Sequence, residues 1–168
     1  GDAIILAAGL QSRALAAGLG IALPLYPLKG YSLTAPINGV HRPPEVSVTD
    51  FEKKILYARI GQDLRVAAMV DLVGDDDRLD AGRLASLQRS VRATFPNAAD
   101  YDRATPWAGL RPATPSGAPI VGASGLPGLW LNVGHGALGF TFSFATANIV
   151  AELVSGRDSP LPLDGLTL

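Results

Sequence analysis

Gly134-His135-Gly136-Ala137-Leu138-Gly139 restricts the fold of this chain more than any other segment. It meets a G-x-G-x-x-G spacing between the apolar run Leu129 to Val133 and a helical stretch from about Ala137 to Ser155. A buried strand that enters a helix through three glycines implies a sheet with that helix folded back onto it. A helix start of this kind offers unpaired N–H groups with positive partial charge, and glycine lets the backbone approach a ligand closely. Two readings follow, an electron-rich group held at the turn or a tight strand-to-helix turn that needs glycine only for packing. A dinucleotide fold beginning at this motif is disfavoured, because Ser155-Gly156-Arg157-Asp158-Ser159-Pro160 follows the helix without a second buried strand.

The rest of the pattern is mixed. Ala3 to Ala8, ending at Gly9, reads as a strand buried on both faces, and Gln11 to Leu19 as a short helix closed by Gly20. From Leu28 to Gly74, short runs rich in Val, Ile, Leu and Tyr predict an antiparallel sheet with turns at Asn38-Gly39 and Gly61-Gln62-Asp63. The best hairpin pairs Lys54 to Ile60 with Leu64 to Val73, placing Val66, Ala68 and Val70 on one face. Leu84, Leu87 and Val91 form the stripe of a helix over Asp80 to Thr94. The preceding Asp75-Asp76-Asp77 suits that helix's dipole better than a cation, since calcium-loop spacing is absent.

Fourteen basic against fifteen acidic side chains give a net charge of -1, which argues against nucleic acid or an anionic membrane as partner. There is no cysteine, so thiolate nucleophiles, disulfides and cysteine metal sites are excluded, and with only His41 and His135 as imidazoles no metal site is expected. No signal peptide is read at Gly1-Asp2-Ala3-Ile4-Ile5-Leu6. The apolar stretch Ala137 to Val154, interrupted by Thr141, Ser143, Thr146, Asn148 and Glu152, predicts a buried helix in a soluble, cytoplasmic protein. Arg111, between Gly109 and a Pro/Gly-rich loop, has the chemistry to clamp a carboxylate through two parallel hydrogen bonds, or to form a structural salt bridge.

Four segments, in order and in register, resemble the D-amino-acid dehydrogenase branch of the D-amino-acid oxidase-like flavoenzymes. They are Ile5 to Gly9, Tyr26 to Thr34, Trp107 to Gly117 and Leu129 to Gly139. The resemblance implies a mixed α/β (α+β) fold in which a partial FAD-binding domain is interleaved with an antiparallel-sheet substrate domain. Residues 1–20 would be a late piece of the FAD-binding domain, 21–107 the substrate domain, and 108–168 the return to the FAD-binding domain. The N-terminal dinucleotide-binding βαβ, with its own GxGxxG, would lie upstream.

By the same resemblance, Arg111 holds the substrate α-carboxylate for oxidative deamination of a D-amino acid to a 2-oxo acid and ammonia by hydride transfer to FAD. A quinone-like acceptor would take the electrons, with the protein cytoplasmic or peripheral on the inner face of the bacterial membrane. Ala8 and Gly9 would pass beside the cofactor, and the turn Gly134, His135, Gly136, Ala137, Leu138, Gly139, Phe140 and Thr141 would face its pyrimidine end. Ala67 stands where the family often has glycine, and Ile55 where related oxidases have a substrate-binding tyrosine, for which Tyr57 or Tyr31 are the substitutes at hand. The alternatives are a non-catalytic domain acting in association only, with a homodimer or an upstream segment pairing at residues 3–8, and a glycine, sarcosine or proline oxidoreductase.

Overall fold

Alternation of apolar residues along Tyr31, Leu33 and Ala35 and along Leu64, Val66 and Ala68 gives two adjacent strands one shared buried face. In the computed structural model, which describes residues 1–168, this face is the centre of a unit formed by Lys29–Leu110. Its five-stranded sheet has the order β3-β4-β5-β2-β6, from β2 (Tyr26–Pro36), β3 (Val48–Asp50), β4 (Ile55–Ile60), β5 (Asp63–Asp71) and β6 (Thr105–Ala113). The helix α2 (Ala81–Thr94) covers one face, with Leu87 and Val91 packed among Tyr31, Leu33, Tyr57, Leu64 and Val66. β4 and β5 pair up to Ile60 opposite Asp63, so only Gly61 and Gln62 make the turn, with Gly61 at φ 61° as such tight hairpins require.

The predicted hairpin forms, but its face is broken. Lys29 pairs with Asp71 and Tyr31 with Ala68, so β5 carries one extra residue, and Met69 takes a φ of 71°. The bulge throws Val70 out to 58 % exposure, away from Val66 and Ala68, which it was expected to join. Strict two-residue counting fails across an inserted residue. On the other face of β6, Gly109 leaves room for the Trp107 ring, since a Cβ there would lie 2.0 Å from Cη2. The guanidinium of Arg65 sits 5.9 Å from the centre of that ring.

The aspartate run before α2 also differs from expectation. Asp80, not Asp75-Asp76-Asp77, serves the helix start, its Oδ1 accepting the Arg83 backbone N–H at 2.8 Å. Asp76 is turned to Arg78, accepting its backbone N–H at 3.0 Å and its guanidinium at 2.9 Å through each oxygen. That pairing holds the Asp76 carboxyl well below the usual carboxylate range.

The second unit comprises Gly1–Leu28 and Arg111–Leu168. The chain crosses between units at Leu28/Lys29 and Leu110/Arg111, whereas the resemblance puts the crossings after residues 20 and 107. Its sheet has the order β1-β8-β7, with β1 (Ile4–Leu6) parallel and β7 (Ile120–Ala123) antiparallel to the central β8 (Leu129–Val133). Alternate residues of β8 serve two layers. Leu129, Leu131 and Val133 pack with Ile21, Leu23, Leu25 and with Ala16 of α1 (Gln11–Ala17), while Trp130 turns to Val121 and to α3 (Gly139–Val154).

Two burial expectations fail here. β1 is an edge strand with Ile4 at 64 % exposure, not a strand covered on both faces. The helix α3 buries only the stripe Thr146, Ile149 and Val150, because a three-stranded sheet is too narrow to cover more. Phe140 at 94 % and Phe144 at 89 % exposure lie outside it, so this is not the buried helix the composition suggests. Together with the turn before it, α3 is long and apolar enough to cross a bilayer by length and composition.

Two substitutions test the core of the Lys29–Leu110 unit by urea unfolding. The Tyr57 hydroxyl is buried without a hydrogen-bond partner, so Tyr57→Phe should raise stability by about 0.5–1 kcal/mol. Asp80→Ala removes the α2 cap and should lower it by about 1 kcal/mol.

Candidate functional site

Parallel pairing of Leu6 with Leu131 sends β1 and β8 out of the sheet at the same edge. Ala8 and Gly9 therefore leave beside Val133 and Gly134. The antiparallel β7 starts at this edge too, since Ile120 pairs with Val133. Ala113, the last residue of β6, bridges to His135, which puts Arg111 two residues from the same turn. The residues expected to meet cofactor and carboxylate, Ala8, Gly9, Arg111 and Gly134 to Thr141, thus belong to one unit, with the strand exits at one end of its sheet.

Each glycine of the turn has a different reason to be there. Gly134 has φ 81°, and a Cβ on it would meet Thr114 Cγ2 at 2.6 Å and Leu25 Cδ2 at 3.2 Å, so both conformation and space demand glycine. Gly136 has φ 55° but open space where a Cβ would project. Gly139 has ordinary helical angles, and its missing Cβ leaves room for the His135 Cβ at 3.3 Å. Packing accounts for Gly134, whereas at Gly136 only the backbone conformation calls for glycine and the Cβ direction is open.

The helix start is unusually bare. Neither the single 3-10 turn Gly136–Leu138 nor α3 receives a side-chain cap, and neither has an acidic residue in its first turn. The first N–H groups of a helix lack intrahelical acceptors, so this end presents donors and a positive dipole to whatever approaches Gly136. Arg111 is half-buried, and burial draws its pKa down from the ordinary value, though a guanidinium stays charged throughout the working range. His135 is also half-buried, and burial pushes its pKa below the ordinary 6.5, which favours a neutral ring at neutral pH.

Three supporting residues went unpredicted. Ser12 is fully buried, and its Oγ accepts the Ala8 N–H at 2.9 Å, fixing the exit from β1. Thr114 packs its methyl over Gly134 while its hydroxyl donates to the Ala118 carbonyl at 2.7 Å. Thr146 Oγ1 lies 3.2 Å from His135 Nε2. Only Thr146 carried a sequence signal, because it lies on the buried stripe with Ile149 and Val150 at helical spacing. Among the suggested substitutes for a substrate tyrosine, Tyr57 is fully buried under α2 with its ring 4.9 Å from that of Phe95, and Ile55 and Tyr31 share that core. The sheet pleat turns all three toward the face covered by α2.

Comparison with known proteins then identifies the frame. Residues 1–153 match the family described as DAO: FAD dependent oxidoreductase. The chain belongs to this family. It is 52% identical over 165 residues to D-amino acid dehydrogenase 2 of Pseudomonas aeruginosa, covering 98% of this chain and 39% of that protein. It is 53% identical to D-amino acid dehydrogenase 2 of Ralstonia nicotianae, over 93% of this chain and 39% of the relative. Among solved structures it is similar to glycine oxidase from Geobacillus kaustophilus, with TM-score 0.86, 26% identity, and coverage of 99% of this chain and 45% of that one. The chain spans about two fifths of the length of the curated relatives it matches.

Membership of this DAO family implies FAD as cofactor, and the residues at the edge fit one side of it. An uncapped, acid-free helix start with clear space over Gly136 suits a planar ligand edge rich in acceptors and able to take negative charge. The residues with that chemistry are Gly136 to Thr141, with Ala8 and Gly9 at the neighbouring strand end.

The two halves of the motif should separate in unfolding experiments. Gly134→Ala should cost roughly 2–4 kcal/mol, from overpacking added to backbone strain, and Gly136→Ala about 1 kcal/mol from strain alone. A His with a depressed folded pKa binds protons more readily when unfolded. Its contribution is therefore present above 6.5 and lost as pH falls through the lower folded value. Stability should thus fall with acidification below 6.5 in the native chain, and this part of the slope should vanish in His135→Gln.

Proposed function

We propose that this chain supplies the pyrimidine-side part of an FAD site and the carboxylate-binding arginine of an oxidoreductase that deaminates D-amino acids to 2-oxo acids and ammonia. The single observation that carries this reading is the convergence of an uncapped helix start with a half-buried arginine at one sheet edge. The names of the relatives at 52% and 53% identity supply the substrate class.

When bound along Gly136 to Thr141, FAD would supply the acceptor for the hydride that leaves the substrate Cα. Arg111 binds the α-carboxylate bidentately and so fixes the orientation of the Cα–H bond. The N–H groups from Gly136 to Thr141 stabilise negative charge developing at the pyrimidine edge. Ala8, small and exposed, and Gly9, at φ 57°, let the backbone pass close to the cofactor. The imino product would be hydrolysed in water to the 2-oxo acid and ammonia, and a quinone-like acceptor would take up the two electrons.

A second reading, oxidation of glycine, is favoured by the likeness to glycine oxidase at 26% identity. Both keep Arg111 in the same role, because both substrates carry an α-carboxylate.

The decisive experiment titrates the chain with FAD in the presence of benzoate and follows the visible spectrum. Perturbation of the flavin bands supports the site, and in the full-length flavin-loaded protein an unchanged FAD affinity and spectrum in Gly136→Val, which fills the open approach, would sink it. In the flavin-loaded enzyme, Arg111→Ala should lower kcat/KM for D-alanine by about 100-fold or more, with Arg111→Lys recovering only part. Full activity in Arg111→Ala would remove the carboxylate role, and a higher kcat/KM for glycine than for D-alanine would favour the second reading.

A further inference from the structure

The open turn is fastened to α3 by one side-chain contact. His135 Nε2 lies 3.2 Å from Thr146 Oγ1, which in turn lies 3.1 Å from the carbonyl oxygen of Phe142, four residues back along the helix. Thr146 is buried, so its single hydroxyl hydrogen has two acceptors in reach, the carbonyl and the imidazole nitrogen. A helical threonine hydroxyl ordinarily donates to the i−4 carbonyl. With its hydrogen committed to Phe142, Oγ1 can only accept from His135, which requires the ring to carry its hydrogen on Nε2.

The remaining contacts of His135 tie it into the turn itself. Its backbone bridges to Ala113, its carbonyl accepts the Leu138 N–H at 3.1 Å, and its Cβ lies against the backbone of Gly139. On the ligand side no side chain caps the turn, and Gly134 and Gly136 hold it in left-handed conformations. Thr146 itself points into the sheet-facing stripe with Ile149 and Val150 and reaches the turn through His135 alone.

We propose that Thr146 is a positioning residue for the flavin half-site, a role that rests on the reading given above. Its hydroxyl selects the Nε2–H form of His135, and the resulting relay from His135 through Thr146 to the Phe142 carbonyl holds the N–H groups of Gly136 to Thr141 in line for the ligand. A relay of aligned hydrogen bonds polarises its members, so losing the middle one loosens both ends.

The test uses the whole chain with Thr146→Val, which keeps shape and loses the hydroxyl, and Thr146→Ser, which keeps the hydroxyl. Without ligand, nitrogen NMR of the native chain should show the His135 ring protonated at Nε2, and a ring protonated at Nδ1 overturns the proposal without any variant. Amide hydrogen exchange at Gly136 to Thr141 should accelerate on the order of tenfold in Thr146→Val and return to native rates in Thr146→Ser. With FAD added, the dissociation constant should weaken by a similar factor in Thr146→Val, and the midpoint potential of the bound flavin should become more negative, both recovering in Thr146→Ser. Native exchange and native FAD affinity in Thr146→Val overturn the proposal, as does a Thr146→Ser variant that behaves like Thr146→Val. The exchange and tautomer results are read without FAD and so decide the role of Thr146 separately from the flavin reading, whose affinity and potential are measured in the full-length protein.

Discussion

Two parallel strands have their carboxyl ends on the same side, and in this chain that elementary fact carries the site. Ile4, Ile5 and Leu6 pair with Leu129, Trp130 and Leu131, joining segments at opposite ends of the sequence. Without this pairing, Ala8-Gly9 and Gly134 to Gly139 would have no common location. The exit from β1 is then fixed by Ser12, which accepts the Ala8 N–H, and the exit from β8 by Thr114 packed over Gly134. The antiparallel neighbour β7 and the bridge from Ala113 bring the Arg111 segment to the same edge. The three-stranded sheet thus places the strand exits, and the bridge from the end of β6 adds the Arg111 segment.

The sequence made strand and helix identities plain wherever apolar spacing was regular, as in the Ile55–Ile60 and Asp63–Asp71 hairpin, the Leu87 and Val91 stripe, and the glycine turn before α3. It failed where the outcome depended on another part of the chain. A bulge at Met69 is set by the register between β5 and β2, and nothing in the local pattern of Val66, Ala68 and Val70 announces it. The burial of Ile4 and of Phe140 depends on how many strands and helices surround them, a quantity no window of residues contains. The candidate site residues were named as a set by the resemblance, and the pairing of β1 with β8 brings Ala8-Gly9 and the glycine turn to one end of the sheet. Their supports, Ser12, Thr114 and Thr146, are ordinary polar residues whose roles come from partners far along the chain or across a turn.

Burial on one face is also what separates the two uses of polar groups here. Tyr31 and Tyr57 look functional as residue types, yet both lie beneath α2, where Tyr57 contributes an aromatic contact to Phe95. Arg111 and His135 look less committed in sequence, and both are only half-buried, Arg111 near the end of β6 and His135 just beyond the core strand β8. A side chain that must meet a ligand and still be held in place has to sit at such a boundary, partly desolvated and partly reachable.

The electrostatics of the edge follow from the same geometry. A positive helix end is useful to an electron-rich ligand only if no nearby side chain neutralises it, and α3 begins with glycine, phenylalanine and threonine and no acid. A protonated imidazole beside it would strengthen the field but repel the dipole and lose the fixed donor pattern. Burial pushes His135 toward the neutral form, and a neutral ring with one N–H engages Thr146 in a single defined way. The donors offered at Gly136 to Thr141 are therefore backbone groups whose charge does not titrate. An enzyme that must stabilise charge on a reduced cofactor over a range of pH is better served by such fixed dipoles than by a side chain that switches with the medium.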